Sequence, residues 1–230
     1  MISILITSVR DSIYRVVDHI EKTLSSVDYE IVICSDNDLS LNKPNIKLIK
    51  DRDGNIGSIT PTNQCLKESQ GEYFLVTCDD ILLNPNVVHL EEFLKSDTFK
   101  NRQHEICSIG YTDYHHCFVP TFNRYRPSNI PIMSFPAGSR WSIEDNMGGV
   151  IFNEGFRHIW ADNWLSYYLA KKGEHPIFMP YTHNDLSFDT REEKSKIVRQ
   201  SDEEYFKKLI DFCDDNSNIS YNHQLAGESQ

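Results

Sequence analysis

The chain opens on Ile2 to Thr7, an apolar run bounded by polar residues, and then changes period, with Ile13, Val16, Val17, Ile20 and Leu24 recurring at helical spacing. A short unbroken run reads as a strand buried on both faces. The spaced set reads as a helix with one apolar face, for which Asp11 or Ser12 supplies the cap. Tyr29 to Cys34 repeats the first pattern, and Ile46 to Lys50 is a third short strand. Thr60, followed by Pro61 at the first helical position, predicts a helix running as far as Ser69. Gly71 punctuates before a fourth strand, Tyr73 to Thr77, and Asn84-Pro85 starts a further helix with Val87, Val88 and Leu94 as core contacts. Strands alternating with helices predict an α/β fold, Rossmann-like, with a mostly parallel central sheet flanked by helices on both faces.

The second half is less regular. Ile106 to Tyr111 and Gly148 to Phe152 read as strands, while Pro120 to Pro136, with prolines at 120, 127, 131 and 136, reads as loop. Asp162 to Lys172 predicts a helix with an apolar stripe of Trp164, Leu165, Tyr168 and Leu169. Ser201 and Glu204 have capping-box spacing and predict a last amphipathic helix reaching Cys213. From Asp214 onward the polar composition predicts a frayed tail. No repeat or linker divides the chain, so a single domain is expected.

Composition narrows the function classes. The 230 residues are 39% hydrophobic and 25% charged, ordinary for a globular protein, and the net charge is −11. A nucleic-acid surface would show a basic stripe, and none is visible, so no nucleic-acid partner is expected. The opening run lacks a basic flank and is too short for a signal core or a transmembrane segment. These features predict a cytoplasmic chain and leave peripheral membrane contact open. Six cysteines without a Cys-x-x-Cys pair, several inside apolar runs, read as buried reduced thiols.

Candidate chemistry collects at the strand ends. In an open parallel sheet, ligands bind beyond the carboxyl ends of the strands. Four predicted strands end in Thr7-Ser8-Val9-Arg10, Ser35-Asp36, Lys50-Asp51-Arg52-Asp53 and Cys78-Asp79-Asp80. Parallel strands would bring all four to one edge, making a pocket with several carboxylates and a few basic groups. Two adjacent carboxylates, Asp79 and Asp80, repel each other and lose hydration there, which suits a hard divalent cation with oxygen ligands. Such a cation, Mn2+ or Mg2+, would also let an acidic protein hold an anionic diphosphate.

The stretch NIGSITPTNQCLKESQGEYFLVTCDDILLNP, Asn55 to Pro85, resembles the core signature of GT-A fold glycosyltransferases of the family 2 type. ISILITSVRDSIYRVVDHIEKTL is similar to their first strand and helix, and YEIVICSDND to their second strand with its nucleotide-contacting acid. EGFRHIWADNWLSYYLAKKG, Glu154 to Gly173, resembles the later segment in which an Asp is the catalytic base. The resemblance covers residues 2 to 173.

It implies a GT-A fold and transfer of a sugar from a nucleotide-diphosphate sugar donor to a carbohydrate or other hydroxyl acceptor, metal-dependent and inverting. Residues 1–100 would be the donor-binding half and 101–213 the acceptor-binding and catalytic half, followed by the tail 214–230. By the same resemblance Thr7 and Arg10 would lie near the base and ribose, Asp36 would accept hydrogen bonds from the base, and Asn63 and Asp79 would contact the donor. Asp80 would hold the metal, with His183 as a further metal or diphosphate contact. Asp162 would be the general base, with Trp164 the nearest aromatic platform. The sequence departs from the pattern at Cys78, where the first Asp of the metal triplet is expected, and at Ala161, Trp164 and Tyr168.

Simpler readings stand beside these. Asp79-Asp80 could be a solvated loop, Asp162 an N-cap, His183 an ordinary histidine, and Trp141, Trp160 and Trp164 core. His115-His116-Cys117 invites a zinc reading, but adjacent strand residues face opposite ways and do not easily converge on one ion, so no zinc site is expected there. The alternative functions are a nucleotidyltransferase and a catalytically degenerate nucleotide-sugar-binding module.

Overall fold

A computed structural model describes residues 1–51, 57–109, 132–158, 160–174, 177, 179, 182–185, 193–215, 220–223 and 225. The predicted buried runs are strands: β1 (Ile2–Ser8), β2 (Tyr29–Ser35), β3 (Ile46–Lys50) and β4 (Tyr73–Cys78). Between them lie helices α1 (Ile13–Thr23) and α2 (Ile59–Glu68). After β4 come a short strand β5 (Ile81–Leu83), a 3-10 turn (Pro85–His89), α3 (Leu90–Lys95) and α4 (Asp97–Lys100). The remaining elements are β6 (Ile106–Ser108), β7 (Pro136–Ser139), α5 (Arg140–Asn146), α6 (Ala161–Lys171), β8 (Thr182–Asp185) and α7 (Glu193–Asp215).

Six strands form one sheet in the order β3-β2-β1-β4-β7-β6, and β5 pairs with β8 in a second, two-stranded sheet. β1, β2, β3 and β4 run parallel, whereas β7 is antiparallel to both β4 and β6. The chain winds outward from β1 through β2 to β3, then returns to the other side of β1 as β4. That reversal makes a topological switch point, where the carboxyl ends of β1 and β4 open a crevice.

Each central strand alternates its side chains between two cores. Leu5, Val32, Cys34, Phe74 and Val76 pack with α2, α5, α6 and α7, while Ile4, Ile6, Ile31, Ile33 and Leu75 pack with α1, α3 and β5. Burying one such aliphatic side chain contributes about 2 kcal/mol, so covering both faces is the main driving force for this layered arrangement. The helical stripe of α1 lands as expected, with Ile13, Val16, Val17 and Ile20 all fully buried.

Several local expectations are corrected. The helix expected to be capped by Thr60 begins at Ile59 with Ser58 at the cap, so Pro61 is its third residue. Pro61 is tolerated because first-turn N–H groups lack intrahelical partners anyway. Gly148 to Phe152 is not a strand: Gly148 and Gly149 take positive φ of 70° and 82° and make a turn. The Ile151 and Phe152 N–H groups donate to Asn63 Oδ1 at 3.0 and 3.1 Å instead of to a neighbouring strand. Pro136 to Ser139, adjoining the expected proline loop, forms β7, and Pro136 fits there as the first residue of its strand. The Ser201–Glu204 box lies inside α7, which starts at Glu193.

The tail also differs from expectation. Tyr221 is buried, its hydroxyl donates to Ile151 O at 2.6 Å, and its carbonyl accepts from Trp164 Nε1 at 3.0 Å and Asn153 Nδ2 at 3.0 Å. One aromatic ring with satisfied polar ends is enough to bring a polar segment back to the core. Cys34, Cys65, Cys107 and Cys213 are buried, as expected, whereas Cys78 is half-buried, and none of these five is in a disulfide. His115, His116 and Cys117 lie outside the described residues, as do Asp53 and Asn55. Among the described residues no helix is long and apolar enough to cross a membrane.

Candidate functional site

A crevice of about 380 Å³ opens at the switch point, lined by Thr7, Ser8, Val9 and Arg10 from β1 and its loop, and by Cys34, Ser35 and Asp36 from β2. Asp51 after β3, Gly57 and Ser58 before α2, Pro61 in its first turn, Cys78 and Asp80 at the end of β4, and His158 complete the wall. The register explains this meeting: Thr7 stands opposite Cys34 on one side and Cys78 on the other, so the three parallel strands end at one level. The strand ends that the sequence offered separately are therefore assembled by the sheet.

Asp79 and Asp80 separate into different roles. Asp79 is buried, and its Oδ2 accepts from the Ser8 hydroxyl at 3.2 Å and from the Val9 and Arg10 N–H groups at 2.9 and 3.0 Å. These bonds tie the loop after β1 to the end of β4, and they satisfy a carboxylate that burial would otherwise penalise. Arg10 Nη1 donates to Asp79 Oδ1 at 3.0 Å and to Asp80 Oδ2 at 2.8 Å. Asp80 faces the crevice; Asp79 is not among its lining residues. On the β2 side Asn37 Nδ2 donates to Val9 O at 3.0 Å, joining the two loops, and Asp36 is exposed at the rim.

The far wall is set by contacts that sequence reasoning missed. A Cβ on Gly57 would sit 1.7 Å from Arg157 O, so only glycine lets the two backbones approach there. Asp202 of α7, fully buried, accepts the Arg157 and His158 N–H groups at 3.0 and 2.8 Å and so fixes His158 over the crevice. The Gly in the Asn55 to Pro85 stretch was a signal for the first contact. Asp202 lies more than forty positions away from its partners and carried none.

Asn63, Trp164 and Asp162 are not among the crevice's lining residues. Asn63 is buried and bonded throughout to the 151–154 segment, accepting the two N–H groups noted above and donating to Phe152 O at 2.8 Å and Glu154 Oε1 at 3.3 Å. Replacing Asn63 with Ala strands several buried backbone groups, and the expected loss is about 3 kcal/mol of stability, read as a lower urea midpoint at unchanged slope. Trp164 is fully buried, stacked on Tyr167 and Tyr221, and acts as core in this arrangement.

Asp162 sits in the first turn of α6 and is not its cap; that position belongs to Trp160, held at φ 66°. A bulky residue in the left-handed region is strained. Stacking of Trp160 on Phe206, centroids 5.2 Å apart, supports it. Asp162 Oδ2 accepts from the Ser134 hydroxyl at 3.1 Å and Oδ1 from the Asn163 N–H at 2.9 Å. Burial nonetheless raises its carboxyl above the ordinary Asp value, outweighing these hydrogen bonds. His183 lies on β8, paired with Leu82 of β5, so its backbone is two strand positions from Asp80; its side chain lies outside the described residues.

The donor groups present can be set against the demands of Mn2+ or Mg2+. Such ions use one or two carboxylates together with substrate phosphates. Asp80 fits this demand: it is an oxygen ligand, faces the crevice and already holds a cationic group. Asp79 is committed to four hydrogen bonds, and the Cys78 sulfur is a soft ligand poorly matched to a hard ion. Among the described residues no three His, Cys, Asp or Glu side chains converge on one point.

No family model and no curated protein sequence matches the chain. Solved structures do. TarS from S. aureus, residues 1–349, superposes with a TM-score of 0.54 at 14% identity, over 94% of this chain and 73% of that one. The same fragment in complex with UDP-GlcNAc gives 0.57 at 14% identity, over 96% and 68%. The longer TarS structure gives 0.62 at 17% identity, over 96% of this chain and 41% of that one. The fold is therefore of the GT-A type, a single α/β domain with a six-stranded, mostly parallel sheet flanked by helices.

Proposed function

We propose that this protein is a glycosyltransferase that moves a sugar from a nucleotide-diphosphate sugar to a hydroxyl acceptor. The observation that carries the reading is the convergence of Thr7, Arg10, Asp36, Asp51 and Asp80 on one crevice at the switch point. A fold shared with a protein crystallised with UDP and with UDP-GlcNAc supports the donor class. Residues 1–100 are the donor half, with Asp36 at the rim for the base and Thr7 and Arg10 on the crevice wall. Residues 101–213 contribute the acceptor side, and inversion follows if Asp162 takes the proton of the attacking hydroxyl.

Asp80 is the residue that would hold Mn2+ or Mg2+, with His183 a candidate second ligand. A divalent cation, when bound, supplies charge neutralisation for the departing diphosphate. The protein's own groups do the rest: the buried Asp79 fixes the loop that carries Arg10, and the crevice at the strand ends admits the donor.

A thermal-shift screen against UDP-, GDP-, dTDP-, ADP- and CMP-sugars, each with manganese, magnesium or EDTA, tests this directly. A ligand that binds only the folded state raises the melting temperature by mass action. The expected result is a shift for one nucleotide family that shrinks in EDTA. Absence of a shift with every donor would reject the donor site. Binding without any turnover or hydrolysis would favour the degenerate module instead, a reading that Cys78 and Ala161 support.

A further inference from the structure

We infer that Arg10 is the resident counter-cation of the carboxylate pair, and that a divalent cation reaches Asp80 only in exchange for the Arg10 guanidinium. One nitrogen, Nη1, lies 3.0 Å from Asp79 Oδ1 and 2.8 Å from Asp80 Oδ2, so a single positive charge bridges the two carboxylates. A metal ion at the same Asp80 oxygen would meet that charge at close range and be repelled.

The anatomy of the loop makes the exchange a side-chain event. Arg10's own N–H is bonded to Asp79 Oδ2, beside Val9 N–H and the Ser8 hydroxyl, so the backbone at this position is pinned whether or not the guanidinium stays on Asp80. The Arg10 side chain is one-third exposed and lines the crevice, so it has room to turn. Asp79 can keep one contact with it while Asp80 is released.

A donor's diphosphate offers the guanidinium an alternative anionic partner, in the geometry that arginine favours. Arg10 therefore links the two ligands. The free protein binds metal weakly, and a nucleotide diphosphate in the crevice raises metal affinity by drawing the guanidinium off Asp80. Linkage requires the metal to raise nucleotide affinity by the same factor. The nucleotide part of this inference rests on the glycosyl-transfer reading; the exchange at Asp80 does not.

The test is manganese binding to the full chain without nucleotide, followed by the EPR signal of free Mn2+. Arg10→Gln is expected to bind manganese at least about tenfold more tightly than wild type, equivalent to about 1.4 kcal/mol. The gain should vanish in Arg10→Gln combined with Asp80→Asn, which localises it. Unchanged or weaker binding in a folded Arg10→Gln protein overturns the inference. Should that variant not fold, side-chain nitrogen NMR of wild type decides: Mg2+ should shift one arginine guanidinium signal toward its solvent-exposed position, and unmoved guanidinium signals throughout the titration overturn the exchange. With UDP present, wild type should bind manganese more tightly than without it. In Arg10→Gln that dependence should be smaller. UDP failing to bind at all would remove the donor reading, while the nucleotide-free comparison would still decide the exchange.

Discussion

Asp162→Asn is expected to lower turnover by at least about a hundredfold, the lower range of general-base assistance, with donor affinity unchanged. Burial pushes the carboxylate's affinity for protons up while Ser134 and Asn163 hold it in one orientation, two features that the proposed base role calls for. Activity in wild type should therefore rise with pH through this raised value and then level off. The same shift has a stability signature. An acid whose folded pKa is above its unfolded one costs the fold stability at pH values above the folded pKa, and the cost disappears below the unfolded pKa. Asp162→Asn should thus melt above wild type at neutral pH, the gap closing as pH falls through the carboxylate range. Steady-state kinetics and melting curves across pH check both. A nearly fully active variant would move the base role to another group.

The second large effect is expected at Asp80. Asp80→Ala should remove the manganese dependence of donor binding and lower turnover about 10²–10³-fold, since charge neutralisation at a leaving group is worth several kcal/mol. The fold should survive, because Asp79 keeps its bonds to Ser8, Val9 and Arg10 and remains paired with the guanidinium. Isothermal titration of UDP with manganese and with EDTA separates the outcomes. Equal metal dependence in wild type and variant would place the cation elsewhere or exclude it from donor binding.

The contrast between Asp79 and Asp80 shows how far local sequence reaches. Both were readable as a carboxylate pair at a strand end, since an apolar run stopping at two acids is a one-dimensional pattern. Which of the two faces the crevice was not readable. It depends on the loop after β1 folding across to donate its N–H groups to Asp79, a contact spanning about seventy positions. Asn63 makes the same point. The resemblance offered it to the donor, but the turn at Gly148 and Gly149 delivers a backbone whose N–H groups need an acceptor, and Asn63 supplies one. The apparent strand at Gly148 to Phe152 failed for the same cause: its apolar residues are buried, but the Ile151 and Phe152 N–H groups donate to Asn63, and among the described residues no neighbouring strand pairs with it.

The sequence by itself determined the four parallel strands, the amphipathic α1, and the side of the sheet on which polar ends collect. Those features follow from periodicity, because a run buried on both faces or a stripe at helical spacing has few ways to cover itself. Only the tertiary structure decided that β7 inserts antiparallel beside β4, that Tyr221 returns to the core, that Asp202 holds His158 in place, and that Arg10 bridges Asp79 and Asp80. Each of these joins groups far apart in the chain through hydrogen bonds or charge. Such pairings depend on which unsatisfied polar groups packing brings within about 3 Å of each other, and spacing along the sequence does not encode that distance.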